Sequence, residues 1–221
     1  MPATCKKTMN ETSELSELQT SDSTAPPVKA LTALEICNLA LSKLGESPIE
    51  AISANGSPAA RMCYMHYHPV RREVLTASRW TFACVQTTLQ SPDAAEDGKA
   101  HEMLSHTLPT DCLRVLEVSS PNWTLRGRNI YCRSAVIRLL YITDVENPEV
   151  FDPLFVDAFA TRLAMKLCIP LTSSTTAREA LTEEYQRLAL PNAAHFNRVQ
   201  CSSNDSHPLY QLWRMSTGAD A

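Results

Sequence analysis

Glycine is scarce in this sequence, with 5 in 221 residues. None of the five stands in a GxGxxG, GxxxxGKS or GxxxxGKT setting, the glycine-rich loops in which backbone amides hold phosphate groups. The sequence also lacks the GxSxG, HExxH and CxxC motifs of many hydrolases and zinc sites. We therefore expect neither a nucleotide-binding loop nor a cofactor, and no catalytic site of these types.

Long apolar runs are also missing. No stretch reaches the roughly eighteen consecutive apolar residues that indicate a membrane-spanning helix. The first residues, MPATCKKTMNETSELSELQ, contain two lysines but no apolar core after them, which does not suit a secretory signal. We expect a chain that stays in a reducing cytoplasm and has no membrane partner.

The eight cysteines are scattered singly, without the spacing of a disulfide framework. We interpret most of them as small buried apolar residues. Two arrangements could carry chemistry. Cys63 and His66 fall on one face of a predicted helix, where they could hold a metal with two further ligands, and Cys84 could form a thiolate pair with a histidine. The alternative function is therefore a small intracellular enzyme or metal-binding protein, whereas the competing interpretation makes Cys63 and Cys84 packing residues and places His66 on a helix surface.

Charge is slightly acidic overall and unevenly spread. The net charge of -4 and isoelectric point near 5.9 argue against a protein that grips nucleic acid over its whole surface. Arginine dominates residues 61–80 and 111–143, whereas the charged residues of 144–157 are all acidic. Such segregation suits contact between copies or with a partner, and equally suits solvated faces. Our candidate contact residues are Arg126, Arg128, Asp144, Glu146 and Glu149.

Helical patterns predict four helices, at about 32–44, 58–78, 153–169 and 176–190. Thr32 and Glu35 can form a capping box at the start of the first, and Gly45 can end it in a left-handed turn. Ser57 caps the second helix, in which Pro69 predicts a kink or two helices end to end.

The ends of the two later helices can also be predicted from the sequence. Asp152 caps the third, and Pro153 occupies its first position. The fourth is predicted to start in a capping box of Thr176 and Glu179 and to stop at Pro191. Its inward-facing side chains are predicted to be Leu181, Tyr185 and Leu188.

Between the helical pairs lies a block of short strands, at about 80–143. The alternation of Trp80, Phe82 and Cys84 predicts one face of a strand that follows directly on the second helix. Further strands are expected at about 102–107, 113–118, 123–125, 129–132 and 135–142, with Gly127 in a tight hairpin turn.

The predicted fold class is α+β, with a four-helix frame and a small antiparallel β domain inserted between its helical pairs. We expect Trp80 and Phe82 to form the junction between helix and sheet. Residues 1–30 are predicted to be an N-terminal extension, 31–200 the main domain, and 201–221 an extended tail.

Six segments resemble, in order, the tail tubular protein A family, the head-to-tail adaptors of short-tailed bacteriophages. They span about residues 31–190. The segments are LEICNLALSKLGESPI, SPAARMCYMHYHPVRREVLTASRWTFA, LPTDCLRVLEV, the W...GR.I pattern, LLYITDVENPEVFDPLFVDAFATRLAMKLCIPLT and EEYQRLAL. The N-terminal arm and the high number of cysteines depart from the family pattern.

The resemblance implies a structural virion protein without catalysis or cofactor, made in the host cytoplasm and located at the phage neck. Adaptors of this family form a ring of twelve copies beneath the portal protein, extend the DNA channel, and carry the tail nozzle. Related adaptors grip the portal with C-terminal segments. The corresponding candidate here is the apolar cluster of the tail, Leu209, Tyr210, Leu212 and Trp213, with Arg214.

Overall fold

The computed structural model describes residues 31–92 and 103–205, with side chains described as far as residue 198. These residues form helices and small antiparallel sheets, which confirms the α+β class. The helices are α1 (Ala33–Ser42), α2 (Pro58–Ala77), α3 (Pro153–Thr172), α4 (Thr175–Glu184) and α5 (Leu190–Asp205). The strands are β1 (Cys84–Gln90), β2 (Leu104–Thr107), β3 (Cys112–Val118), β4 (Thr124–Arg126), β5 (Asn129–Cys132) and β6 (Val136–Thr143).

The first two helices begin as predicted. The capping box of Thr32 and Glu35 is present, and the hydroxyl of Ser57 accepts from the backbone N–H of Ala60. Gly45 has a φ of 72°, the left-handed conformation expected after α1. α2 is one helix that runs through Pro69, so the alternative of two helices end to end is wrong.

Helix α3 lies at the centre of the helical part and contacts α1, α2, α4 and α5. Asp152 caps it and Pro153 occupies its first position, as predicted. It continues past the predicted end at 169, through Pro170, and ends at Thr172, after which Ser173 takes the left-handed conformation. Eleven of its residues are buried, because neighbouring helices and an aromatic cluster cover it on most sides.

The last helical segment corrects three predictions. The N-cap is Ser174, whose hydroxyl accepts from Ala177 N–H, instead of the predicted capping box of Thr176 and Glu179. After α4 the chain forms a π-helical segment, Tyr185–Ala189, and then α5, so the helical path passes Pro191 and includes residues 201–205. We attribute this continuation to the wider π turn, which shifts the carbonyl groups with which the Pro191 ring would otherwise collide.

The π segment also explains which side chains face inward. Leu181 and Tyr185 are buried as predicted, but Leu188 is 58% exposed. Ala189 and Ala193 take the next inward positions, so the buried face follows a spacing of four residues. The inward placement of Leu188 is therefore wrong.

The strands form two three-stranded antiparallel sheets, in the orders β1-β6-β3 and β2-β5-β4. β4 and β5 form the predicted hairpin, since Arg126 pairs with Asn129 and Gly127 has a φ of 60°. The predicted strand face of Trp80, Phe82 and Cys84 is wrong: residues Thr81–Ala83 form a 3-10 turn, and β1 starts at Cys84. The turn directs both aromatic rings onto Phe155 of α3.

Two apolar cores result. The larger one joins the helices with Trp80 and Ile142, and the smaller lies in the β region around Ile130, Ile137 and Leu139. Within the described part of the chain, no helix has the length and apolar character needed to cross a membrane.

Candidate functional site

A cavity of about 600 Å³ lies beside the start of α1 and the middle of α2. We call it the acidic pocket. Two carboxylates line it, and the described residues of its wall include no lysine or arginine. The lining residues are Leu31, Thr32, Ala33, Ile52, Tyr64, Tyr67, His68, Glu146, Asn147, Pro148 and Glu149.

The acidic wall of this pocket is a short 3-10 turn, Pro148–Val150, that precedes α3. Asn147 caps the turn, because its side-chain oxygen accepts from Glu149 N–H at 3.1 Å. The side-chain amide of Asn147 also donates to the Glu149 carboxylate at 3.3 Å. Among the described residues, Glu149 has no cationic partner.

The neighbouring carboxylates are held by a buried arginine. Arg71, which has no exposed surface, donates through Nη2 to Asp144 at 2.6 Å and to Glu146 at 3.3 Å. Arg72 Nε donates to the other Asp144 oxygen at 2.7 Å. The two arginines and two carboxylates are balanced in charge, so Asp144 is already paired within the chain. Among the described residues, Glu149 is left as the carboxylate of the pocket without a compensating cation.

Tyr67 lines the pocket and has a buried hydroxyl. Its side chain is only 4% exposed, and its hydroxyl has no hydrogen-bond partner among the described residues. Burial raises the pKa of Tyr67 to about 12; Cys37 contributes to the rise and Arg71 opposes it. At neutral pH the hydroxyl is therefore protonated and can both donate and accept a hydrogen bond.

The arginines of the β4–β5 hairpin have different roles. The guanidinium of Arg128 folds back and donates to the Pro109 carbonyl. Arg126 lies over the Tyr131 ring, 5.8 Å from its centroid, and is exposed. No carboxylate of the described residues forms an ion pair with Arg126. Arg128 and Asp144 are thus bonded within the chain, although Arg128 is exposed, whereas Arg126 and Glu149 are exposed and form no ion pair among the described residues.

Trp80 and Phe82 lie between the end of α2 and the start of β1. Trp80 is fully buried, and its indole N–H donates to the Val74 carbonyl at 2.8 Å. Both rings meet Phe155 edge-on with centroids 5.0 Å apart. Their surroundings are those of packing residues, with no polar group aimed at a ligand.

The cysteine candidates are not assembled into a site. Cys63 is fully buried, and its hydrogen bond with Cys37, together with burial, raises the pKa of the Cys37 thiol. His66 is half-buried, and Cys84 is the first residue of β1. Among the described residues, no three side chains of His, Cys, Asp or Glu come together as a metal site.

Sequence reasoning missed a buried pair of Cys132 and His106. The Cys132 sulfur lies 3.8 Å from His106 Nδ1, and His106 Nε2 lies 3.3 Å from the Ala135 carbonyl. Donation from Nε2 to that carbonyl leaves Nδ1 to accept from the thiol. Neither side chain has exposed surface, so the pair has no access to a substrate.

A second cavity, of about 590 Å³, lies between α3 and the segment from α4 to Arg187. Its charged lining is mixed and largely paired. Arg162 and Lys166 both pair with Glu73, and Arg187 pairs with Glu183 at 2.7 Å. Arg178 and Glu179 of this cavity form no ion pair among the described residues, so charges of both signs remain. The acidic pocket is the stronger candidate for binding a cation, because its described lining contains carboxylates and no lysine or arginine.

The tail cluster Leu209, Tyr210, Leu212, Trp213 and Arg214 lies outside the described residues. Comparison with protein-family models gave no match, and comparison with curated proteins gave none either.

Proposed function

We propose that the chain is a head-to-tail adaptor of a short-tailed bacteriophage. In this proposal, copies assemble as a ring of twelve beneath the portal protein, extend the DNA channel and provide the platform for the tail nozzle or tail tubular protein. The protein is structural, acts without a cofactor, is made in the host cytoplasm and resides in the neck of the virion.

The observation that carries the proposal is the resemblance of six ordered segments over about residues 31–190. The order of elements in the described chain is compatible with it: α1 and α2 precede the strands, and α3 to α5 follow them. We propose that these helices act as the four-helix frame of the adaptor, with α4 and α5 as its last member. The two sheets then form the inserted β domain.

The charge of the chain is compatible with a channel that DNA traverses. With a net charge of -4, the chain lacks the surplus of lysine and arginine that neutralises phosphates in tight, sequence-independent binding. A weakly attractive wall lets DNA pass without stopping. A further alternative is a DNA-binding module that uses the arginines of residues 61–80; it predicts instead a steep dependence of duplex affinity on salt.

The C-terminal tail is our proposed portal anchor. Leu209, Tyr210, Leu212 and Trp213 form an apolar cluster in a polar segment, and Arg214 follows them. Apolar side chains of this kind can dock in a groove of a partner. A chain truncated after residue 205 should lose portal binding while keeping its folded core. Unchanged binding would remove the tail from the proposal.

Co-sedimentation with the portal protein encoded in the same genome tests the function. We expect the chain to move with the portal ring in a density gradient, and an unrelated portal to leave it at the top. A chain that does not co-sediment with its own portal would contradict the proposal. Stoichiometric zinc in the purified chain would instead favour the metal-binding alternative at Cys63 and His66, and an unusually reactive Cys84 thiol would favour the enzyme.

A further inference from the structure

The acidic pocket has the chemistry of a receptor for a cationic side chain. Within the described part of the chain, Glu149 offers a carboxylate without a cationic partner, and Glu146 is bonded by Arg71 through only one of its oxygens. The rings of Tyr64 and Tyr67 line the same cavity. Carboxylates beside aromatic rings bind a guanidinium well, because its edge donates hydrogen bonds while its face stacks on a ring.

The buried hydroxyl of Tyr67 is a second, independent indication of a ligand. A buried polar group without a partner costs free energy, and such groups normally find one in protein, water or ligand. Tyr67 lines the pocket, but its hydroxyl is covered, so it would accept a hydrogen bond from an arriving N–H group only where the covering side chains move apart. The pocket thus presents two negatively charged hydrogen-bond acceptors, the carboxylates of Glu146 and Glu149, with the unpartnered hydroxyl of Tyr67 buried in its wall.

The same chain presents a suitable cation on a different surface. Arg126 ends β4, the outer strand of its sheet, and all three residues of β4 are exposed. Trp123 and Leu125 beside it are apolar and 37% and 44% exposed. Arg126 is exposed and forms no ion pair among the described residues, so its guanidinium matches a pocket that combines carboxylates with the Tyr64 ring.

We infer that Arg126 of one copy enters the acidic pocket of the next copy, where it binds Glu149 and Glu146 and stacks on Tyr64. This inference rests on the proposed ring. The hairpin and the pocket are different surfaces of one chain, so their contact is head-to-tail. A head-to-tail contact repeats from copy to copy and closes into a ring when the rotation allows it.

A charge exchange between two variants tests the inference. Arg126→Glu should repel the pocket of the next copy, and Glu149→Lys should repel the incoming arginine. We expect each variant alone to load onto the portal at least about tenfold less well than the wild type. An equal mixture should load again, because in an alternating ring each glutamate at 126 meets a lysine at 149, and each arginine meets an unchanged pocket.

The matched controls are Arg133→Glu and Glu50→Lys, which make the same charge changes at other exposed positions. Both should load like the wild type. Glu149→Gln, which keeps a hydrogen-bonding side chain next to Asn147, should show a weaker defect than Glu149→Lys if the latter is folded. Urea unfolding of every variant separates an assembly defect from a folding defect.

Each outcome is decisive. Normal loading of Arg126→Glu or Glu149→Lys overturns the inference, because the contact would then be dispensable. Two defective variants that fail to rescue each other also overturn it, since Arg126 and the pocket would then bind the portal or another partner. A wild type that does not load contradicts the proposed function itself.

Discussion

Asn197 of α5 is hydrogen-bonded to Thr81, 116 residues earlier in the chain: its side-chain oxygen accepts from the Thr81 N–H at 2.8 Å. Its amide group also donates to the Arg79 carbonyl. One buried side chain thereby fixes the 3-10 turn between helix α2 and strand β1 to the last helix. The link exists only because the helical path continues beyond Pro191.

Replacing Asn197 with alanine should destabilise the fold by about 1–3 kcal/mol, because it removes two hydrogen bonds between a buried side chain and the backbone of Arg79 and Thr81. Urea unfolding followed by circular dichroism measures the change. Asn192→Ala is the matched control, an exposed asparagine of the same helix, and should change the free energy of unfolding by less than about 0.5 kcal/mol. Equal effects of the two substitutions would contradict the link.

Trp80→Ala should cost about 3–5 kcal/mol, since it empties a fully buried site among Phe82 and Phe155 and removes the hydrogen bond to Val74. The partly exposed Trp123 provides the comparison: Trp123→Ala should have a much smaller effect on stability. Thermal and urea unfolding of both variants measure the difference. A Trp80 variant as stable as the Trp123 variant would exclude Trp80 from the core.

Asp144→Ala should destabilise the chain by about 3 kcal/mol, because buried Arg71 would keep its charge with only the exposed Glu146 beside it. Glu146→Gln, at a side chain 70% exposed, should cost less than about 1 kcal/mol. The Asp144 effect should persist at high salt, since buried pairs are weakly screened. A loss that vanishes in salt would contradict the buried pair.

The raised pKa of Tyr67 predicts that the folded chain loses stability at alkaline pH. Its pKa is raised to about 12 in the folded chain, whereas an unfolded tyrosine titrates near 10. Between these values the unfolded state loses a proton that the folded state keeps, so stability falls as the pH rises. The stability of Tyr67→Phe relative to the wild type should therefore increase by about 1 kcal/mol between about pH 9 and pH 11.

The control for Tyr67 is Tyr64→Phe, on the exposed side of the same pocket. Its stability should run parallel to that of the wild type over the same pH range. If Tyr67→Phe also ran parallel, the hydroxyl would be accessible to solvent in the folded chain.

Features determined by neighbouring residues could be predicted from the sequence. The Thr32 capping box, the Ser57 and Asp152 caps and the turn at Gly127 depend on residues within one turn of the chain, and all four were predicted correctly. Features determined by distant residues could not. Trp80 and Phe82 do not form the predicted strand face, because both pack against Phe155. No residue next to them in the sequence indicates that contact.

The candidate contact residues show the same limit. Segregated charge marked Arg126, Arg128, Asp144 and Glu149 alike, although their environments differ. Asp144 is bonded to an arginine 73 residues away, so only the fold shows that its carboxylate is already paired within the chain. The sequence likewise held no signal for the pair of Cys132 and His106, which meet because two strands pair.

The central claim, assembly as an adaptor ring, is tested most directly by native mass spectrometry of the chain with its portal. We predict a complex in which one portal ring carries twelve copies of the chain, whether or not the free chain is a monomer. A portal ring that carries no copies, or a variable number without a closed set, would contradict the account.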